Sequence, residues 1–357
     1  MKTKVILSTI FLCVASNAIA EQRESAVIQV TADSKWETEL SRLEGEGVTS
    51  FDELIVEGST DGDLSLTLLN DAITKFSVKT VDMTNLEVKG GAINAPVFSP
   101  LIGFMDALMM RESQPEDATD PFDEAIANFP LRKVILPKDL SVLGYHVFYR
   151  STVEEVVLPE SLTEVYGSCF YGCKKLSQLN LPNSLRSVAN GTFARSGLTS
   201  LTLPEGCEID CSSTTTGLVE KCDMLEHLEL PSNITAPTPR MALGCTALKS
   251  VVCHAPVPTG DASTPAAFGD GTPMDAILWV PKGSLSLYAA QPENGWGYFT
   301  NIEEMESSLS ENIAEEDEEM VFTLSGIRVP CAAGDLPDGL YIVRKKNGSQ
   351  KCIKVNR

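Results

Sequence analysis

Histidines and aromatic residues are scarce in this chain. Three histidines and three tryptophans occur among 357 residues, and Phe, Trp and Tyr together make up 6%. The sequence contains no G-x-S-x-G, H-E-x-x-H, phosphate-loop or C-x-x-C motif. Such motifs carry nucleophilic, metal-assisted or phosphoryl-transfer chemistry, or bind zinc. Their absence argues against an enzyme, so we expect no catalytic residues, no metal and no cofactor.

Basic residues are also few. Lys and Arg number 28 against 49 Asp and Glu, which gives a formal net charge of −21. Nucleic-acid binding needs basic patches that displace counterions, so this balance argues against a nucleic-acid partner. A strongly acidic surface ordinarily keeps a protein soluble and self-repelling. The charge therefore excludes one class of partner without identifying another.

Long apolar runs are missing beyond the N-terminus. Residues 1–20 combine Lys2 and Lys4, a short apolar core and the ending Ala18-Ile19-Ala20, which is typical of a secretory signal. That core is too short to span a bilayer. Its removal takes away two lysines and no acids, which changes the formal net charge from −21 to −23. We expect a protein that is secreted or on the outer surface of a Gram-negative-type bacterium, with no transmembrane segment.

The middle of the chain is built from a repeat that ends in Leu-Pro. Successive Leu-Pro pairs are 22, 23, 22 and 27 residues apart, and a fixed period of this size is typical of a solenoid. Each pair closes the pattern apolar-x-x-apolar-x-apolar-Pro, whose alternating end predicts a short strand with one buried face. Proline has no N–H to donate, so it ends the strand. The pairs are Leu136-Pro137, Leu158-Pro159, Leu181-Pro182, Leu203-Pro204 and Leu230-Pro231.

The second half of each repeat is equally regular. A phenylalanine follows the second of two aliphatic residues by five positions, and a small residue follows the phenylalanine by three. This spacing predicts that equivalent positions stack from one repeat to the next and share one core. The full pattern occurs at Leu140, Leu143, Phe148 and Ser151, at Leu162, Val165, Phe170 and Cys173, and at Leu185, Val188, Phe193 and Ser196.

Weaker repeats lie upstream, so we predict that the solenoid starts near residue 50, with an irregular insertion at 89–128. The insertion contains an apolar stretch from Leu101 to Met110. This stretch is either a helix packed on the end or convex side of the solenoid, or an exposed helix that binds a partner. The weaker repeats are Phe51, Leu54 and Val56, and Val78, Val81 and Met83.

The Leu-Pro strand end, the aliphatic pair and the ending Phe170-Tyr171-Gly172-Cys173 occur together in a known family. Over residues 129–304 they resemble the leucine-rich repeats of BspA-like bacterial surface proteins. Residues 277–305 look like that family's closing unit, in which Trp296, Phe299 and Ile302 would cover the open end of the core. The resemblance implies a leucine-rich-repeat solenoid that is mostly β, with short parallel strands, turns and short helical segments. For adhesin-like members it implies binding to a host or neighbouring-cell protein.

The chain changes character after residue 305. The run EEDEE at 315–319 predicts a solvated acidic linker. Calcium binding is the alternative, although the alternating Asp or Asn and the Gly of a calcium loop are missing. Residues 320–357 predict a small C-terminal β module with a hairpin turn at Asn347-Gly348. This module resembles the sorting modules of type IX secretion substrates. The alternative is a module that stays attached and shields the solenoid or packs beside it.

These features predict six segments along the chain. They are a signal peptide (1–20), an N-terminal cap (21–50), irregular N-terminal repeats with an insertion (51–128), a regular leucine-rich-repeat solenoid with its closing cap (129–305), an acidic linker (306–319) and a C-terminal β module (320–357).

Nine cysteines follow the signal segment. Cys173, Cys222 and Cys245 occupy the small-residue position that Ser151 and Ser196 fill in other repeats, so we expect buried thiols that behave as small apolar residues. Two disulfides remain open as alternatives: one between Cys222 and Cys245 on neighbouring repeats, and one between Cys207 and Cys211.

The outward side chains of the Leu-Pro strands predict a continuous face. This face carries no aromatic residue, so it fits a protein or an extended peptide better than a glycan. We expect a monomer that binds a host or neighbouring-cell protein there. The alternatives are binding through the insertion at 89–128, polysaccharide capture that uses Tyr145, Tyr149 and Tyr166, and a purely structural role in the cell envelope. The candidate partner-binding residues are Lys133, Glu155, Val157, Gln178, Asn180, Ser200, Thr202, His227 and Glu229.

Overall fold

The computed structural model describes residues 21–30, 36–60, 63–101, 122–212, 215–263, 265–307, 320–323, 328–329, 339–344 and 350–355. The predicted signal peptide, most of the predicted apolar helix and nearly all of the acidic linker lie outside these residues. The helices are α1 (Trp36–Gly45), α2 (Asp63–Lys75), α3 (Asp123–Asn128) and α4 (Leu285–Ala289), with a 3-10 helix at Trp296–Tyr298.

The strands, in chain order, are β1 (Glu21–Val30), β2 (Val48–Thr60), β3 (Thr80–Asp82), β4 (Leu86–Val88), β5 (Ala92–Ile93), β6 (Lys133–Ile135), β7 (Val142–Leu143), β8 (Glu155–Val157), β9 (Glu164–Val165), β10 (Ser187–Ala189), β11 (Ser200–Thr202), β12 (Glu208–Asp210), β13 (His227–Leu230), β14 (Ser250–Cys253), β15 (Ile277–Val280), β16 (Asn301–Glu304), β17 (Glu306–Ser307), β18 (Met320–Thr323), β19 (Arg328–Val329), β20 (Gly339–Arg344) and β21 (Gln350–Val355).

Three parallel sheets form the solenoid. The first has the order β1-β2-β3-β6-β8, with β4 also on β2, and the third has the order β11-β13-β14-β15-β16. Four of the five predicted Leu-Pro strands, β6, β8, β11 and β13, belong to these two sheets. We call the side formed by the outward residues of these sheets and of residues 177–182 the strand face. The second sheet, β12-β10-β9-β7-β5, contains the strands that follow the Leu-Pro turns. Short parallel strands stacked repeat by repeat confirm the predicted leucine-rich-repeat solenoid.

The phenylalanines predicted to stack do so. Phe148 and Phe170 have ring centroids 5.0 Å apart, and Phe170 and Phe193 have centroids 5.8 Å apart, with the rings nearly parallel in both pairs. Phe98 adds a ring 4.8 Å from Phe148, and all four side chains are fully buried. Such pairs contribute roughly 0.5–1.5 kcal/mol each beyond the burial of their area. Residues 92–98, within the stretch predicted as an insertion, therefore continue the repeat stack, since β5 also pairs with β7.

A left-handed turn follows each phenylalanine position. Arg150, Gly172 and Arg195 have φ values of 53°, 69° and 56° at the same point of successive repeats. Glycine adopts this conformation without strain, which explains the Gly of the F-x-G-C ending. Each N–H is used: that of Arg150 donates to Tyr171 O at 2.7 Å, and that of Gly172 donates to Ala194 O at 2.9 Å. The turns therefore form a hydrogen-bonded ladder of their own, which we call the turn ladder.

The three cysteines at the small-residue position donate hydrogen bonds. The thiols of Cys173 and Cys222 donate to the carbonyls of Phe148 and Phe193 in the preceding repeat, each at 3.0 Å. Cys245 does the same to Val219 at 3.0 Å. The predicted buried thiols are confirmed, since all three cysteines are free and fully buried. Their thiols also donate, and the hydroxyl of Thr272 does the same one repeat later, at 2.8 Å from Ala242 O. The buried hydroxyl of Ser151, at the equivalent position, has no hydrogen-bond partner among the described residues.

The described cysteines, Cys207 and Cys211 included, are all free thiols. Neither of the two possible disulfides is therefore present. Burial raises the pKa of Cys173 to about 12 and that of Cys222 to about 11. These thiols are protonated at neutral pH, which suits donors and makes them poor nucleophiles.

The repeat without a phenylalanine, at 205–222, contains an ion pair between the buried Glu220 and the half-buried Arg240. Val219 takes the place of the phenylalanine in the turn ladder, donating its N–H to Met241 O at 2.9 Å. The buried carboxylate of Glu220 accepts hydrogen bonds from Arg240 Nε at 2.8 Å and from the Gly217 N–H at 2.9 Å. Position 217 must be glycine, because a Cβ there would lie 1.8 Å from Arg240 O.

Within the described residues, the solenoid begins with an additional strand and ends in an aromatic cap. At the N-terminal end β1 pairs in parallel with β2, so the ladder begins at Glu21, ahead of the first repeat recognised near residue 50. At the other end Trp296 and Phe299 are buried, with ring centroids 6.0 Å and 4.7 Å from that of Phe268. Ile302 lies half-buried in β16 beside them.

The C-terminal module is a small sheet. Strands β18, β20 and β21 pair antiparallel, and β17 joins β21 in parallel. Arg344 faces Gln350 across the antiparallel β20–β21 pair, and the predicted turn at Asn347-Gly348 lies outside the described residues.

Candidate functional site

The N-terminal part of the strand face is open. Lys133 and Glu155 are neighbours in register on β6 and β8, and their side chains form an ion pair at 2.6 Å. Val157 is 41% exposed at the end of β8. Gln178 and Asn180 are exposed on the next repeat. The structure therefore brings five of the nine predicted binding residues together, and we call this region, from β6 to the segment 177–182, the open part of the strand face.

Of the four remaining predicted residues, Ser200, Thr202, His227 and Glu229, the last three make hydrogen bonds within the protein. Thr202 Oγ1 donates to Glu229 Oε2 at 3.1 Å, and Glu229 Oε1 lies 2.9 Å from His254 Nε2. His227 Nδ1 lies 2.8 Å from the hydroxyl of Ser250. Of these side chains, only Thr202 is exposed, while Ser200, His227 and Glu229 are half-buried. Sequence reasoning missed His254, because its partner Glu229 is on the neighbouring repeat and no motif links the two.

Burial has a direct effect on His227. Desolvation of the ring lowers its pKa, and this effect outweighs the nearby Glu226 carboxylate, which acts in the opposite direction. The imidazole is therefore neutral at pH 7 and pairs with Ser250 as an uncharged partner.

The C-terminal part of the strand face is covered by the C-terminal module. Val252 on β14 is 1% exposed and packs with Met305 and Cys352 in one apolar cluster. Trp279 on β15, together with Leu340 and Ile342 on β20, borders the same cluster. Burial raises the pKa of Cys352 to about 12. Outward residues that the repeat pattern leaves to solvent are thus buried, and we call this region, β14 and β15, the covered part of the strand face.

The parallel ladder opens between the two parts. Segment 177–182 is not a strand, although its sequence LSQLNLP fits the repeat, and within the described residues no backbone hydrogen bond joins it to β8. On its other side one bond remains, from the Thr199 N–H to Ser177 O at 3.0 Å. Asn favours strands less than the Ile135, Val157 and Thr202 that hold the positions equivalent to Asn180. We call the opening between β8 and residues 177–182 the strand gap.

The three tyrosines considered for polysaccharide binding separate into two groups. Tyr145 and Tyr166 are exposed beside the second sheet, with ring centroids 5.2 Å apart in an edge-to-face arrangement. Tyr149 is buried and stacks on Tyr171 at 5.1 Å. The negative charge of Glu164 and its hydrogen bond to the hydroxyl raise the pKa of Tyr166. Two of the three tyrosines thus form an exposed pair.

Two further properties bear on function. Within the described ranges, no three His, Cys, Asp or Glu side chains converge so that they could hold a metal ion. In the same part of the chain, no helix has the length and apolar character needed to cross a bilayer.

Comparison with protein families gives one match. A model described as a BspA type leucine rich repeat region matches residues 122–249 in six copies. The match begins at the residue before α3 and ends at the residue before β14, a little over a third of the chain. No curated protein matches the sequence. The matched region is thus of the leucine-rich-repeat type that the motifs indicate.

Solved structures with similar repeats come from several bacteria. A leucine rich repeat protein of T. pallidum is 18% identical, with a TM-score of 0.38 over 54% of this chain and 74% of its own. One from Bacteroides ovatus is 18% identical, with a TM-score of 0.33 over 50% and 46%. The pneumococcal vaccine antigen PcpA is 15% identical, with a TM-score of 0.38 over 73% and 60%. All three TM-scores are below 0.5, so the fold assignment rests on the strands and repeats described above.

Proposed function

We propose that this chain is a secreted or cell-surface leucine-rich-repeat protein that binds another protein through the open part of its strand face and has no catalytic activity. The observation that carries the proposal is the division of that face. The C-terminal module buries Val252, whereas Val157 at an equivalent outward position is 41% exposed. An uncovered sheet without aromatic rings offers no platform on which a sugar could stack, so this face fits a protein partner better than a glycan.

Location and partner belong to the same proposal. Residues 1–20 are proposed to direct secretion, and the protein is proposed to act as a monomer on or outside a Gram-negative-type cell. Its partner is proposed to be a protein of the host or of a neighbouring cell. Packing of the C-terminal module on the covered part supports a module that shields the solenoid. Its resemblance to type IX sorting modules remains a separate proposal.

A capture screen of residues 21–357 against extracellular-matrix proteins and a glycan array tests the proposal. Val157→Arg should weaken capture of a protein ligand about tenfold or more, because it places a long charged side chain at the centre of the open part. Val27→Arg is the matched control, since Val27 is 45% exposed on β1 and shares the outward column with Val157. If Val157→Arg and Val27→Arg bind the protein ligand equally well, the open part of the strand face is not the binding site.

Polysaccharide binding is the second candidate, and the exposed pair of Tyr145 and Tyr166 supports it. Tyrosine rings provide flat apolar faces that sugars stack on, and these two rings are in contact. Glycan binding that is lost in Tyr145→Ala and kept in Val157→Arg would favour this candidate. If neither a protein nor a glycan binds in the screen, a structural role in the cell envelope is favoured.

A further inference from the structure

We infer that the strand gap binds an extended peptide segment of the protein partner, held by main-chain hydrogen bonds on both sides and by a basic side chain of the peptide. The inference rests on the proposed function and deepens it, because it names how the open part of the strand face holds its partner.

One side of the gap is the free edge of β8. In a parallel ladder, alternate residues direct their main-chain polar groups to the same side. The N–H of Glu155 donates to Arg132 O and the carbonyl of Val157 accepts from the Leu136 N–H, both at 3.1 Å, so these two residues face β6. Val156 and Leu158 therefore present their main-chain groups to the gap. Groups of this kind cost roughly 1–3 kcal/mol each if they are buried without a partner.

The other side is segment 177–182. Within the described residues, the main-chain groups of 178–181 make no backbone hydrogen bond to β8. The side chains of Gln178 and Asn180 are exposed at the same opening and supply further donors and acceptors. Both sides of the gap thus offer the groups that pair with a strand in β-augmentation.

The floor of the gap is apolar. Leu158 and Leu181 are half-buried, whereas the equivalent Leu136 and Leu203 are 2% and 3% exposed in intact parts of the ladder. Apolar surface left exposed in this way is stabilised when another apolar side chain covers it. An inserted strand would cover both leucines with alternate side chains.

The opening is confined to the strand face. On the opposite side of the same repeats the turn ladder is closed, since the Arg150 N–H donates to Tyr171 O at 2.7 Å. The rings of Phe148 and Phe170 also remain stacked at 5.0 Å. The repeats therefore separate at one edge while the core between them stays packed, which leaves a slot in a stable scaffold.

The acidic side chains that line the gap favour a peptide with a basic residue. Glu154, Glu155 and Glu160 line the groove at the gap, whose volume is about 660 Å³. Arg132 and Lys133 pair with the first two at 3.4 Å and 2.6 Å. Glu160 is exposed and has no ion-pair partner among the described residues. A lysine or arginine of the peptide next to Glu160 gives the complementary charge.

Hydrogen exchange on residues 21–357 tests the gap itself. The amides of Val156 and Leu158 should exchange at least about tenfold faster than those of Val134 and Leu136, which hold the equivalent positions in the closed ladder between β6 and β8. Equal protection of the two sets would show a closed ladder at β8 and would overturn the inference.

Peptide binding tests the occupant. The probe is an eight-residue peptide of alternating threonine and valine with one central lysine, acetylated and amidated at its ends. It should protect the amides of Val156, Leu158 and 178–181. A matched peptide with glutamate for the lysine, and another with alternate N-methylated amides, should fail to do so at the same concentration. Failure of the lysine peptide to protect these amides at saturation would overturn the inference.

Charge reversal provides the matched variants. Glu160→Lys should weaken binding of the lysine peptide roughly fivefold, as expected for one exposed charge contact reversed in sign. Glu208→Lys makes the same change on β12 of the second sheet and should leave binding unchanged. Equal affinity of both variants would overturn the role of Glu160.

The two proposals fail in different ways. A protein ligand that binds the open part without protecting the gap amides would keep the proposed function and overturn the peptide inference. Peptide protection at the gap, with no protein captured in the screen, would support the slot and count against a protein ligand among those tested.

Discussion

Removal of one ring from the phenylalanine stack tests the repeat register. Phe170 is fully buried between Phe148 and Phe193, at centroid distances of 5.0 Å and 5.8 Å. Phe170→Ala takes away the ring and both stacked contacts, and leaves a cavity that two flanking backbone ladders keep from collapsing. Truncation of a buried phenylalanine costs about 3–5 kcal/mol. We expect a loss of about 4 kcal/mol in the free energy of unfolding.

Urea denaturation followed by circular dichroism measures this loss. With an m-value of about 2 kcal/mol per molar urea, the midpoint should fall by about 2 M. Because a solenoid repeat contacts only its neighbours, hydrogen exchange should quicken most in the repeats of Phe148 and Phe193. Tyr166→Ala is the control: it truncates a partly exposed ring in the same repeat that touches Tyr145, and it should lower the free energy of unfolding by about 1 kcal/mol or less. Equal losses for Phe170→Ala and Tyr166→Ala would refute the stacked core.

Three further perturbations follow from the structure. Cys222→Ala should lower the free energy of unfolding by about 1 kcal/mol, because it removes the thiol donor from the Phe193 carbonyl, which keeps the Ser196 N–H at 3.2 Å; Cys222→Ser should lose less, and equal losses in a melting experiment would contradict a hydrogen-bonding role for Cys222. The pKa of His227 is lowered by burial, so the unfolded chain binds the proton more readily and stability should fall as pH drops below the ordinary histidine pKa of about 6.5. His227→Gln should flatten that dependence, and an unchanged pH profile would contradict it. Deletion of residues 306–357 should expose Val252 and Trp279 and shift tryptophan fluorescence to the red; an unshifted spectrum would show that the module does not cover them.

The core could be predicted from the sequence because the repeat encodes it locally. Each Leu-Pro strand and each phenylalanine position recurs at a set spacing, so stacking follows from the period once the solenoid is recognised. Phe148, Phe170 and Phe193 were placed in register on that basis alone. The outward residues of the open part of the strand face could also be identified from the sequence, since the outward positions of a strand alternate with the buried ones.

Other features could not be predicted from the repeat, because they depend on contacts between distant segments or on how strongly a strand pairs with its neighbours. The cover over Val252 comes from Leu340 and Cys352, which are about a hundred residues further along the chain and belong to no repeat. The repeat pattern hides the strand gap because LSQLNLP keeps the apolar spacing, while Asn180 weakens strand pairing without changing that pattern. The donor role of Cys222 also has no sequence signal, since serine and cysteine are equally small.

The most direct test of partner binding at the open part of the strand face is a footprint of the complex. Hydrogen exchange on residues 21–357, with and without a captured protein ligand, reports which amides the ligand covers. The account predicts new protection around Val157 and across 177–182, with no change at Tyr145 and Tyr166. Protection centred on Tyr145 and Tyr166, with the open part unchanged, would contradict it.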